Sequence, residues 1–200
     1  MKFTSLSILF LTMAVGILSV GCADFGNNVP ENAGTISGHL TGVDAGASVI
    51  LRSFKNGSLV KVAEVKTTEN GDFFVTPETP LERGFHQVII NKSWPVVLIT
   101  DSTEAPNIQG TIPAESRYLY EARIEGSNES SLLAEYYAVV MPLQNSLVEA
   151  QTALRSLANE QKSEANKALK MLIADLDKTS LTFIKENEGH PATLAALEQL

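Results

Sequence analysis

Between Gly34 and about Glu125, apolar residues recur at every second position in short runs, and turn residues separate the runs. In "GTISGHL", Ile36, Gly38 and Leu40 share one face, with Thr35, Ser37 and His39 on the other. "SVILRSF" and "LVKVAEVK" flank "KNGS", whose Asn56-Gly57 pair predicts a two-residue hairpin, because both residues tolerate the positive φ that such a turn demands. Asn70-Gly71 in "TTENGDFFV" predicts a second hairpin. "GFHQVIINK" and "WPVVLIT" are rich in β-branched and aromatic residues, and "YLYEARIE" sets Tyr118, Tyr120, Ala122 and Ile124 against Leu119, Glu121, Arg123 and Glu125. Seven or eight short strands result, read as a β-sandwich or a partly open barrel. Pro95, Pro106 and Pro113 fall at strand starts or connections, where a missing N–H is tolerated.

Around Gly126 the period changes. Ser127 or Asn128 caps a helix on which Leu133, Tyr137, Val140, Leu147 and Leu154 share a face, and Pro142 is expected to kink or break it. A second helix is predicted from about Gln161 to Asn187, striped by Ala165, Leu169, Leu172, Leu176 and Phe183. Gly189 ends it, Pro191 opens a third, and "ATLAALEQL" carries that third helix onward. The expected class is α+β: an antiparallel β-sandwich or partly open barrel over residues 34–125, then a helical linker or hairpin over 126–200.

The first 33 residues follow neither period. Met1 and Lys2 precede a run from Leu6 to Val20 that is almost wholly apolar or small, then Gly21 and Cys22. That run is shorter than the roughly 18–20 residues of a membrane-spanning helix, and its layout is that of a secretory signal. With Gly21 before Cys22, it resembles the lipobox of bacterial lipoproteins, although Ser19 stands where such boxes favour leucine and Leu18 lies one place further out. The resemblance implies a signal peptide over residues 1–21, a lipid on the sulfur of Cys22, and a tether over 22–33. Cys22 is the single cysteine, so a disulfide within the chain is excluded.

Charge narrows the partners. The chain has 15 basic and 23 acidic residues, a net charge of −8, and loss of Lys2 with the leader makes it −9. An acidic body repels phosphate backbones, so nucleic acid is not an expected partner, and attachment to a membrane is left to the lipid on Cys22.

The order of parts carries a wider likeness. A lipobox, the "GTISGHL" strand, "NGDFFV", "YLYEARIEGS" and a long helix leading to "FIKENEGHPATLAAL" resemble the N-terminal region of thioredoxin-like (thiol-disulfide interchange) lipoproteins of Gram-negative envelopes. In that family a β domain of unknown function and a helical linker precede a thioredoxin fold with a reactive Cys-x-x-C. This sequence contains no Cys-x-x-C, so no redox residue is carried onto it. The resemblance implies either the front part of a longer protein or a member without its enzyme. The chain's final amphipathic helix, without a cap, favours the first expectation.

Candidate chemistry is sparse. His39, His86 and His190 are the only histidines, and a surface or turn position is expected for each, so no metal site is expected. Asp175 and Asp177 are two apart on a helix and face different directions, while Glu121 and Glu125 flank Arg123 as on a solvated strand edge. No nucleophile elbow, phosphate loop or His-Glu-x-x-His is present. No catalytic residue and no cofactor are therefore expected. Trp94 beside Pro95, with Phe85, Tyr118 and Tyr120, forms a candidate ligand surface, against which ordinary core packing is the stronger expectation. The function expected is a non-catalytic, lipid-anchored, periplasm-facing envelope module, the accessory or spacer region of a thioredoxin-like oxidoreductase that docks the redox domain or its substrate proteins. The alternative is a stand-alone lipoprotein that binds a ligand or partner.

Overall fold

A computed structural model describes residues 30–113 and 122–200. Eight strands appear among them: β1 (Ile36–Thr41), β2 (Ser48–Lys55), β3 (Ser58–Lys66), β4 (Asp72–Val75), β5 (Gly84–Ile90), β6 (Trp94–Thr100), β7 (Asn107–Thr111) and β8 (Arg123–Glu125). Three helices follow: α1 (Asn128–Ser156), α2 (Asn159–Glu186) and α3 (Thr193–Leu197). The strands form two four-stranded sheets, ordered β4-β1-β7-β8 and β3-β2-β5-β6, that stack as an open sandwich. The fold is α+β, and the sheets do not close into a barrel. Most pairings are antiparallel, but β1 and β7 run parallel.

Alternation in the sequence becomes alternation in space. Ile36 and Leu40 of β1, Val49 and Leu51 of β2, and Val88 and Ile90 of β5 all point between the sheets and are essentially inaccessible. Each such side chain contributes on the order of 1.5–3 kcal/mol by leaving water. Asn56 (φ 50°) and Gly57 (φ 78°) make the expected β2–β3 hairpin. Asn70-Gly71 does not make one. β3 pairs with β2 and β4 pairs with β1, so this tight turn carries the chain from one sheet to the other. A turn dipeptide specifies reversal, and only the apolar faces of the flanking strands decide which partner each meets.

Of the two expected effects of Pro142, kink or break, the break does not occur, since α1 runs through it. Pro142 and Ala138, whose carbonyl loses its partner, both lie on the exposed side, where the lost bond does not strand a polar group in the core. α2 starts two residues earlier than expected, and α3 is only five residues long.

The helices do not stand apart from the sandwich. Ile99 and Val97 on the outer face of the second sheet pack with Leu133 and Val140 of α1, Leu176 of α2 and Ala195 and Ala196 of α3. A second core thus lies between sheet and helices. The N-terminus of α1 is welded to the sheet edge: β6 is an outer strand, and the free polar groups of Ile99 are met by hydroxyls. The Ile99 N–H donates to Ser130 Oγ at 3.0 Å, and its carbonyl accepts from Ser127 and Ser130, each at 2.9 Å.

This contact sets direction. The chain comes in at Pro30–Thr35, where the Gly34 N–H donates to the Glu104 carbonyl, at the same end of the sandwich as Thr100 and the start of α1. From there α1 runs along β6 and leaves the sandwich at the opposite end. Every fully buried residue of α1 lies at or before Val140, and those of α2 are Leu176 and Ser180. Leu147 is the last residue of α1 packed against that core, and the turns after it run about 14 Å further, to Ser156, paired with α2 as a two-helix arm.

Candidate functional site

The best-formed concavity lies where sheet, α1 and the C-terminal residues meet. It is a cavity of about 290 Å³ with an apolar floor that includes Pro95, Val97, Ile124, Ala134 and Met141. Three carboxamides, Gln87, Gln144 and Gln199, and the phenol of Tyr137 line it as well. Strand periodicity places Gln87 there, on the outer face of β5 between Phe85 and Ile89. Gln144 donates from Nε2 to Oε1 of Gln199, which ties α1 to the last turn of the chain. Burial, with Glu198 and Tyr136 nearby, pushes the Tyr137 phenol above its ordinary range, so it serves as a neutral hydroxyl. At roughly 30 Å³ per water, the space equals about ten water molecules. Amides that both donate and accept, over an apolar floor without ionised groups, suit a neutral ligand.

The C-terminal residues reach this position because of one buried carboxylate. Glu129 sits in the first turn of α1, where the helix dipole favours a negative charge. Its Oε1 accepts from His190 Nδ1 at 2.9 Å and its Oε2 from the Ala192 N–H at 3.2 Å. Further along, Tyr136 and Ser180 share a buried hydroxyl–hydroxyl hydrogen bond of 2.8 Å between α1 and α2.

The structure scatters the residues singled out from sequence. Trp94 opens β6 and packs, partly buried, against the sandwich core. Tyr118, Tyr120 and Cys22 lie outside the described residues. Arg123 and Glu125 form an exposed ion pair at 2.7 Å on β8. His39 is exposed, and its Nδ1 lies 2.7 Å from Asp72. His190 is exposed in the turn before Pro191. No group of three or more His, Cys, Asp or Glu suited to a metal ion occurs among the described residues.

His86 is a correction. It is 2% exposed rather than at the surface or in a turn, because it shares the inward face of β5 with Val88 and Ile90. Its Nε2–H lies 3.0 Å from the Glu82 carbonyl and 3.2 Å from that of Thr100, while Nδ1 has no hydrogen-bond partner. Burial holds the imidazole below its ordinary value, against the pull of the two carbonyls; Lys55 adds to the lowering and Asp101 opposes it. A histidine depressed in the folded state binds more protons when unfolded. Its stabilisation is therefore complete above the unfolded value near 6.5 and is lost as pH falls through the folded value. The urea midpoint is expected to fall from pH 7.5 to pH 5, with a slope from this group of at most about 1.4 kcal/mol per pH unit. His86→Gln should flatten that portion of the profile; an unchanged profile would assign the acid sensitivity elsewhere.

Pattern reading missed the cavity. Gln87 is its one legible signal, a polar residue on an otherwise apolar outer face. Gln144 and Gln199 look like solvent-facing helix residues until α3 folds back.

Comparison with models of known protein families finds no match, and neither does comparison with curated proteins. Among solved structures, this chain is similar to the Klebsiella pneumoniae 5-hydroxyisourate hydrolase at 15% identity, over 47% of this chain and 98% of the hydrolase, with a TM-score of 0.31. A 9R-lipoxygenase from Cyanothece PCC8801 aligns at 10% identity over 80% of this chain and 29% of that enzyme, with a TM-score of 0.28. Neither likeness is close enough to identify this chain, which is described by its own architecture: an open β-sandwich with a helical layer and a projecting two-helix arm.

Proposed function

We propose that this chain is a non-catalytic, membrane-anchored module of a bacterial envelope. In this reading Cys22 carries the lipid, the sandwich faces the periplasm, and the helices act as a spacer for a thioredoxin-like redox domain or its substrate proteins. One observation supports a docking role for the helices: the chain comes in at one end of the sandwich and the α1–α2 connection lies toward the other, while the segment after α2 returns to the first turn of α1 through His190 and Glu129. A tether at the first end would hold the arm away from the bilayer. The linkage is a rigid one, because α1 is continuous from the hydroxyl weld at Ile99 to Ser156.

Intact mass of the native protein, extracted from membranes in detergent, tests the reading. The expected species begins at Cys22 and carries a diacylglycerol, and Cys22→Ser should move the protein from the membrane fraction to the soluble one. Two acyl chains at roughly 0.8 kcal/mol per methylene make an anchor that does not come off in buffer. An unmodified Cys22 would sink the tether. A mass well above that of the lipidated 179-residue chain supports an attached redox domain; a match to that chain favours the second reading.

That second reading is a free-standing lipoprotein that binds a small ligand. It is favoured by the amide-lined cavity, whose chemistry fits a neutral molecule with hydroxyl or amide groups and an apolar face.

A further inference from the structure

We propose that the groove between α1 and α2 is a docking site for an amphipathic helix of a partner protein whose apolar stripe is flanked by lysine or arginine. The groove has a volume of about 670 Å³ and lies open along its length. Leu132, Val139 and Leu143 form its α1 wall, at spacings that keep them on one face. On α2 the lining runs from Asp175 to Glu186. Eleven residues of rise on each side give about 16 Å, or three helical turns. Beneath lie the rings of Tyr136 and Phe183, with centroids 4.5 Å apart. Because the Tyr136 hydroxyl is already bonded to Ser180, the floor offers hydrocarbon and no unmet polar group. Val139 stands in the wall at 57% exposure, an apolar side chain with nothing over it. A third helix laid between the two would cover it, as amphipathic helices do in apolar grooves.

Charge selects the occupant. The rim holds three carboxylates, Glu135, Asp175 and Glu186, against one ammonium, Lys178. A second copy related by a two-fold axis would bring this acidic rim against itself. An anionic bilayer is repelled for the same reason. A helix with cationic flanks meets opposite charge on the rim and apolar surface on the floor, and complementarity of that kind fixes register as well as speeding encounter. This inference goes beyond the tether and spacer and does not depend on the lipid: docking is read on the purified protein whether or not Cys22 is modified.

The test is an anisotropy titration of the purified full chain with a labelled, capped four-turn peptide of leucine and lysine in helical register. Saturable binding is expected, weakened about tenfold or more by Val139→Asp and by Glu135→Lys. Glu149→Lys makes the same charge change on the distal arm and should leave affinity within about twofold. A peptide with glutamate in place of lysine should bind about tenfold more weakly. Circular dichroism and urea midpoints establish that each variant is folded. Equal weakening by Glu135→Lys and Glu149→Lys would reduce the effect to general attraction and overturn the site. So would indifference to Val139→Asp, and so would self-association that Val139→Asp abolishes, which would assign the groove to a second copy.

Discussion

Gly71→Ala is expected to cost about 3 kcal/mol or more, among the largest losses for the removal of no side chain. Gly71 has φ +82°, and a Cβ there would lie well inside contact distance of the Leu40 carbonyl oxygen. Retreat is blocked, because the Leu40 N–H donates to the Gly71 carbonyl at 3.0 Å and fixes the two backbones together. Gly57→Ala separates the two causes. Its φ is also left-handed, at +78°, but its Cβ would meet nothing within 4 Å. That variant should lose only the backbone penalty, about 1 kcal/mol. Urea midpoints of the two variants check the difference, and equal losses would show that contact with Leu40 does not matter. The larger loss should fall on the β1–β4 margin of the first sheet, since Gly71 meets Leu40 one step beyond the His39–Asp72 pair.

Leu133→Ala is expected to cost about 3 kcal/mol, within the usual range for a fully enclosed leucine. Leu133 is wholly inaccessible and belongs to the cluster that joins Ile99 of β6 to all three helices. The more telling result is its form. If sheet and helices fold as one unit, the urea transitions followed by helical ellipticity and by Trp94 fluorescence should shift together. A helical transition that moved alone, with Trp94 unaffected, would show that the helices are a separate unit hinged at Gly126.

How far the sequence could be read follows from which interactions are local. Strand alternation is local, so Ile36 and Leu40 were legible as one buried face. Asn56-Gly57 was legible because strands of one sheet lie on both sides of it. Asn70-Gly71 reads the same but separates strands of different sheets, which is decided by distant partners of β1 and β2. The parallel β1–β7 pair spans some seventy residues and leaves no local mark. His86 was misjudged because its apolar neighbours predict its inward side, whereas its imidazole suggested water. On α1, the Tyr136 and Tyr137 pair offers two tyrosines at adjacent angles. Only the presence of Ser180 on α2 decides that Tyr136 is the enclosed one. The cavity needs α3 folded back by Glu129, a contact across more than sixty positions.

The hydroxyls that meet Ile99 have a consequence for assembly. A β-ladder grows without limit only when both outer strands can accept another chain. In the second sheet β3 is the other outer strand, defended by Lys61, Lys66 and a bulge opposite Leu51 and Arg52, while Ser127 and Ser130 occupy the outward polar groups of Ile99 on β6. Pairing through β3 is therefore hindered from continuing at the far margin, where another strand would have to displace those hydroxyls from Ile99. That one-sidedness works against a fibre through this sheet while α1 stays docked.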